Sequence, residues 1–287
     1  GSEMCIRDRF YAALGVKVTV VEYMPRMMPL EDEEVSKAME RAFRKLRAAV
    51  MTSTTVKSVR VNAEGRCEVE IEGKKGPETL TADIVLSAVG IKSNIEGIGL
   101  EELGIAVERD KVLVDQFYRT NVPGVYAIGD CVFGKAQLAH TASAMGEVAA
   151  ENIMGIPAVY DERTNPTCVY IEPEAASVGL TEEQCKAQGI DYKVGKFPMA
   201  ANGKALILNG GEGIVKIIAG KQYGEILGMH IIGPRATDLI AEGALAIAEE
   251  MTLDEIISTI HSHPTVTETM REAALQAEGR AIHTSNR

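Results

Sequence analysis

None of the five cysteines, Cys5, Cys67, Cys131, Cys168 and Cys185, lies close to another, and no CxxC spacing occurs. Neither a zinc site nor a redox-active dithiol can therefore be assembled from neighbouring residues, and an odd, scattered set points to reduced thiols in a cytosol-like compartment. Long apolar runs are missing as well. Nothing approaches the roughly 18 consecutive apolar residues that a membrane span requires. The first residues also lack the apolar segment of a secretory signal, so the expectation is a soluble, cytoplasmic protein. Positive charge is in short supply: 30 Lys and Arg stand against 41 Asp and Glu, a formal net charge of −11. Such a balance argues against nucleic acid or an anionic membrane surface as the main partner and favours a small molecule or another protein.

What is present is a chain of 287 residues, long enough for about two domains with cores of their own. Only five histidines occur, and two of them fall in His261-Ser262-His263-Pro264-Thr265-Val266-Thr267-Glu268. Proline pre-sets a backbone angle suited to the first turn of a helix and pushes the residue before it into an extended conformation. A helix over residues 265–278 is therefore expected, with His263 at its entrance and free to fold back onto Glu268. A carboxylate on one imidazole nitrogen fixes the tautomer and leaves the other nitrogen to take and return a proton. Two plainer readings stand beside this one. An HxH pair can bind metal, although no neighbouring cluster supplies a third ligand and His140, His230 and His283 lie in unrelated contexts. A histidine before a helix-starting proline is also an ordinary cap and turn.

Taken in order, residues 1–9 share no periodicity with the residues after them and read as a tag remnant, fusion scar or assembly artefact. Residues 10–14 read as a helix end closed by Gly15, and residues 17–22 as a buried strand ending in Glu22. An acid at that place in a βαβ unit receives the ribose hydroxyls of a dinucleotide, though most strand-end glutamates are simply solvated. Val35, Ala38, Met39, Ala42, Phe43 and Leu46 form a helical core stripe. Residues 55–61, 67–72 and 78–81 read as strands, the last two joined through Gly73-Lys74-Lys75-Gly76. Residues 82–90 and 124–130 read as buried strands, closed by Gly90 and by Gly129-Asp130, with a helix over 138–154 to follow. Beyond a linker at 155–166 comes a different pattern. Strands are expected near 168–171, 175–178, 192–199, 205–208, 213–219 and 226–232, with a helix from Thr181 and two final helices, making an α+β domain.

As an ordered set, Thr19-Val20-Val21-Glu22 with Pro25-Arg26, Ala88-Val89-Gly90, the segment 125–130, Leu138-Ala139-His140, Glu172-Pro173-Glu174 through Ser177-Val178-Gly179, and His261 to Thr265 with Glu268 resemble the flavin-dependent pyridine nucleotide-disulfide oxidoreductases. The resemblance implies an α/β fold: a partial doubly wound nucleotide-binding domain followed by an α+β dimerisation domain with a mainly antiparallel sheet. It implies residues 10–115 as a partial NAD-binding domain, 116–165 as the central part of an FAD-binding domain, and 166–287 as the interface domain. Glu22 would then bind the adenosine ribose of NAD, in preference to NADP, and Gly90 would lie beside that dinucleotide. Gly129 and Asp130 would meet the ribityl chain of FAD, and the helix start at Leu138, Ala139 and His140 would face its ring. His263 would be the acid/base toward a dithiol housed on the opposite subunit of a homodimer, with Glu268 as its partner.

The lipoamide type of the family is the one most resembled. Its reaction oxidises a dihydrolipoyl dithiol on a carrier protein of a 2-oxoacid dehydrogenase or glycine cleavage complex. A glutathione or mercuric type and a non-catalytic dimerisation piece are the alternatives. Family members begin with a GxGxxG loop and a CxxxxC disulfide that this sequence lacks, so a C-terminal fragment is expected.

Overall fold

A computed structural model describes residues 2–286, with side chains from Arg7 onward. Gly1 of the expected leader, Arg287 of the expected interface domain and the Cys5 side chain lie outside the described residues. Two compact units are formed, one by the chain up to Ala88 together with the chain from Pro166, the other by Val89–Asn165. No helix among the described residues is long and apolar enough to cross a membrane.

The first unit opens with α1 (Ser2–Ala13), which takes in the leader as well as residues 10–13; Arg9 Nε donates to the Glu172 carbonyl. The strands β1 (Thr19–Val21) and β2 (Ala49–Met51) pair in parallel across α2 (Glu33–Lys45). That helix forms where its stripe and its ends predict. Asp32 accepts from Glu34 N at the start, acids occupy the first turn and Arg44 and Lys45 the last, each sign stabilising the dipole end it faces. Val35, Ala38, Met39, Ala42 and Phe43 are buried. The strands β3 (Thr55–Val61), β4 (Cys67–Gly73) and β5 (Gly76–Ala82) make an antiparallel sheet whose second turn is Lys74-Lys75, as expected.

The buried strand expected over residues 82–90 is not there. The ladder ends at Ala82, and Ile84 and Val89 are 80% and 95% exposed. A strand covered on both faces needs neighbours to bond and helices to cover it, and β1–β2 takes no third strand among the described residues.

In the second unit the short hairpin β6 (Val107–Glu108) and β7 (Lys111–Val112) precedes α3 (Ala139–Ile153). Met145, Val148 and Ala149 of α3 form a small core with Tyr118. The strand expected over residues 124–130 is likewise absent. A single antiparallel bridge joins Arg119 to Tyr126, and Gly129–Cys131 form a 3₁₀ turn. With no ladder beside it, the segment bends where Gly129 adopts φ +76°.

The chain from Pro166 builds β8 (Thr167–Val169), β9 (Glu174–Gly179), α4 (Glu182–Ala187), β10 (Tyr192–Pro198), α5 (Gly203–Asn209), β11 (Ile214–Gly220), β12 (Ile226–Gly233), α6 (Ala236–Ala248), α7 (Leu253–Ser258) and α8 (Glu268–Ala277). The five strands form one antiparallel sheet in the order β10–β11–β12–β9–β8. Val215, Ile217, Met229 and Ile231 face α6, α7 and α8, while Ala175 and Ile232 pack with the buried stripe of α2. Residues 205–208, expected as a strand, are the helix α5: Asn202 caps it by accepting from Ala205 N at 2.8 Å, and Gly210 closes it at φ +74°. Three helices end the described chain rather than two, because Thr252 and Glu255 form a capping box that starts α7.

The helix expected from residue 265 begins at Glu268 instead. Thr265 N donates to Glu268 Oε2 at 3.0 Å and Thr265 Oγ1 to Ser262 O at 2.6 Å, so this segment is held as a turn before the helix.

The packing of α8 on β10 needs Gly195, where a Cβ would stand 1.9 Å from Ala273 O and 2.8 Å from Ala277 Cβ. Gly195→Ala must therefore push α8 off the sheet. Overpacking of this kind costs about 1–3 kcal/mol, measurable as a lowered urea midpoint; an unchanged midpoint would show that α8 is not seated against β10.

Candidate functional site

The loop between α7 and α8 borders a cavity of about 480 Å³ in the first unit, lined among others by Asn202, Ile257, His261, His263, Glu268 and Arg271. The structure brings His263 and Glu268 together: Nδ1 lies 2.9 Å from Glu268 Oε1, and the imidazole is 82% exposed. Glu268 opens α8, and its other oxygen accepts the Thr265 N–H. Partial burial works against the charge of Glu268. The Thr265 N–H and His263 outweigh it and hold the carboxyl below the usual range. With a carboxylate facing Nδ1, that nitrogen carries the proton, and Nε2 is the one left for exchange.

Two further histidines border the same cavity, each on a glutamate. His261 Nε2 lies 2.8 Å from Glu242 Oε1 of α6, and His261 Nδ1 lies 3.1 Å from Thr259 O; this side chain is 4% exposed. Near the C-terminus, His283 Nδ1 lies 2.9 Å from Glu272 Oε1, while Glu272 Oε2 accepts Ile282 N and His283 N. The His261–Glu242 pair had no sequence signal beyond the doubled histidine, because its partner stands 19 positions away. Among the described residues no group of three His, Cys, Asp or Glu is placed to hold a metal ion.

The remaining expected site residues are distributed over both units. Glu22, in the first, follows β1 and accepts Met24 N through Oε1 at 2.7 Å. Gly90, in the second, is exposed at φ +118°. There too Gly129 and Asp130 sit against α3: a Cβ on Gly129 would lie 3.4 Å from Ala142 Cβ, and Gln137 Nε2 donates to Asp130 O at 3.3 Å. Asp130 is exposed. Leu138 is the N-cap of α3 and makes no side-chain capping bond, and Ala139 and His140 are its first helical residues.

A buried polar row went unforeseen. Lys216, His230 and Ser177 stand side by side on β11, β12 and β9. Lys216 is 1% exposed and its ammonium meets Asp32 at 2.9 Å, Glu34 at 2.8 Å and Glu182 at 2.5 Å. Burial acts to lower its pKa, and the three carboxylates overcome this and raise it. His230 donates from Nε2 to Leu180 O at 2.9 Å, while its buried Nδ1 has no hydrogen-bond partner; burial lowers its pKa. Ser177 donates to buried Glu31. A lysine inside the run Ile214-Val215-Lys216-Ile217 was the available clue, since it alternates with core residues.

Comparison with known proteins gives a consistent set of likenesses. A model described as pyridine nucleotide-disulphide oxidoreductase matches residues 1–146, and one described as the dimerisation domain of such proteins matches residues 165–274. The chain is 44% identical to a dihydrolipoyl dehydrogenase of Rhizobium etli over 277 residues, covering 96% of the chain and 57% of that relative. It is also 44% identical to one of Bacillus subtilis over 272 residues, covering 94% and 57%. Among solved structures, LpdA from Mycobacterium tuberculosis superposes with a TM-score of 0.87 at 28% identity, covering 96% of this chain and 59% of that one. The HOCl-induced flavoprotein disulfide reductase RclA from Escherichia coli, with a TM-score of 0.86 at 22% identity over 96% of this chain and 62% of that one, shares the fold. The chain thus spans less than two thirds of the length of these relatives.

Proposed function

This chain belongs to the pyridine nucleotide-disulphide oxidoreductase family, and from that premise we propose that it works in a dihydrolipoyl dehydrogenase, oxidising a protein-bound dihydrolipoyl dithiol and reducing NAD⁺ through FAD. The observation that carries this reading is the His263–Glu268 contact on an exposed loop. The likeness to relatives named dihydrolipoyl dehydrogenase gives the contact its chemical context.

His263 is the acid/base. Its Nδ1–H is engaged by Glu268, so Nε2 takes the thiol proton, and the carboxylate stabilises the imidazolium that forms. Because the ring points outward from its own unit, it serves sulfur chemistry on the partner subunit of a homodimer assembled through residues 166–287. The segments 10–115 and 116–165 supply the NAD and FAD parts.

The residues present fit both cofactors. Asp130 is exposed beside the bend at Gly129, and the start of α3, whose N-cap Leu138 makes no side-chain capping bond, turns its positive dipole end to an acceptor on the flavin. Bound there, FAD supplies the electron transfer that side chains cannot perform. Glu22 is oriented by the Met24 N–H at the end of β1, where its charge suits ribose hydroxyls and repels the extra phosphate of NADP. A lipoyl-bearing carrier protein delivers the dithiol.

The test is a steady-state assay on this chain completed with the portion of its relatives that it does not span. NADH should form from dihydrolipoamide and NAD⁺, with NADP⁺ a poor substitute. Reduction of glutathione disulfide or mercuric ion in place of the lipoamide reaction would sink this reading in favour of another member of the family. Dimer formation with none of these activities would leave only a dimerisation role.

A further inference from the structure

With His263 as the base, the buried histidine two residues before it is left without a task. His261 is confined on both sides by acceptors. Its Nδ1 lies 3.1 Å from a backbone carbonyl that cannot donate, and its Nε2 lies 2.8 Å from the Glu242 carboxylate. A neutral imidazole carries one N–H and would turn a lone pair toward one of these oxygens; the doubly protonated ring satisfies both. Glu242, the first cause, and the Thr259 carbonyl favour the charged form, while burial and Arg271 of α8 oppose it; the balance raises the pKa of His261.

The loop carrying His263 is thereby tied to α6, a helix buried against β9 and β12. From the other side Asn202 Nδ2 donates to Thr265 O at 3.0 Å, tying the same loop to the start of α5. We propose that His261, held as an imidazolium by Glu242, is a positioning residue for the His263 base: it fixes the loop so that Nε2 of His263 meets the dithiol without searching for its place. This inference rests on the dithiol-oxidising reading above. Misplacing a reacting group by about 1 Å costs on the order of 100-fold in rate, so a single anchor of this kind is worth measuring.

Two measurements test it. In the completed enzyme, His261→Gln and Glu242→Gln should lower kcat/KM for dihydrolipoamide by about 10- to 100-fold. Reduction of ferricyanide by NADH, which needs no dithiol base, should keep its rate, a split that general loss of folding cannot produce. In this chain itself, ¹⁵N NMR of the imidazoles should show His261 doubly protonated above the ordinary histidine range near 6.5, and Glu242→Gln should bring its titration down. Equal losses in both assays, or full dithiol activity in both variants of an active parent, would overturn the positioning role. So would a His261 that titrates at or below the ordinary histidine value, a result independent of any turnover. A parent without lipoamide activity would count against the function proposed above, and the NMR titration would still decide the state of His261.

Discussion

Lys216→Met is expected to destabilise the first unit by about 3 kcal/mol or more at neutral pH, because it removes the buried cation that three carboxylates share. Asp32 suffers most. Its side chain is 1% exposed, it caps α2, and Lys216 supplies the hydrogen bonds that overcome the burial acting against its charge. Glu34 and Glu182 are more open and keep Lys196 and Lys186 as further partners, so they add less. The loss should depend on pH in a definite direction. All three carboxyls are held below their usual range in the folded protein. Their stabilisation is therefore complete above the ordinary carboxylate range near 4 and disappears as pH falls through the depressed values. In the variant the same groups, once protonated, no longer repel each other. The gap between parent and variant in urea unfolding should thus be widest near pH 7 and narrow toward pH 4. A gap that stays constant with pH, or a variant as stable as the parent, would show that the ammonium is not what holds α2 and α4 to the sheet.

His263→Gln in the completed enzyme should slow dihydrolipoamide oxidation by about 10²- to 10⁴-fold, the usual contribution of a positioned acid/base. Glutamine keeps a similar size and a donor for Glu268 but cannot carry a proton away. Reduction of ferricyanide by NADH should continue, since it does not call on the base. Glu268→Gln should cost less than His263→Gln, because the imidazole remains and only its orientation and the stabilisation of its charge are weakened. Near-normal lipoamide turnover in His263→Gln would remove this residue from the chemistry.

Much of the local structure was readable from residue order. The stripe Val35, Ala38, Met39, Ala42 and Phe43 declares α2, Thr181 declares the start of α4, and Gly73-Lys74-Lys75-Gly76 declares a hairpin, since each signal lies within a few residues of the element it shapes. The His263–Glu268 contact belongs to the same class: five positions and a turn bring the two side chains together. Two of the misreadings share a different cause. Residues 82–90 and 124–130 have the composition of covered strands, but composition cannot supply neighbours, and without a ladder they are open segments. Residues 205–208 are apolar enough for a strand, and the caps Asn202 and Gly210 make them a helix.

By itself, then, the amino-acid order determined what depends on near neighbours: the amphipathic helix, the hairpin, the capped turns and the imidazole–carboxylate pair at the candidate site. Only the tertiary structure decided what covers each element and which charges meet. Lys216 reaches Asp32 across 184 positions and His261 reaches Glu242 across 19. Contacts of that span carry no periodic trace in the sequence, because they arise where separately formed strands and helices bury their faces against one another.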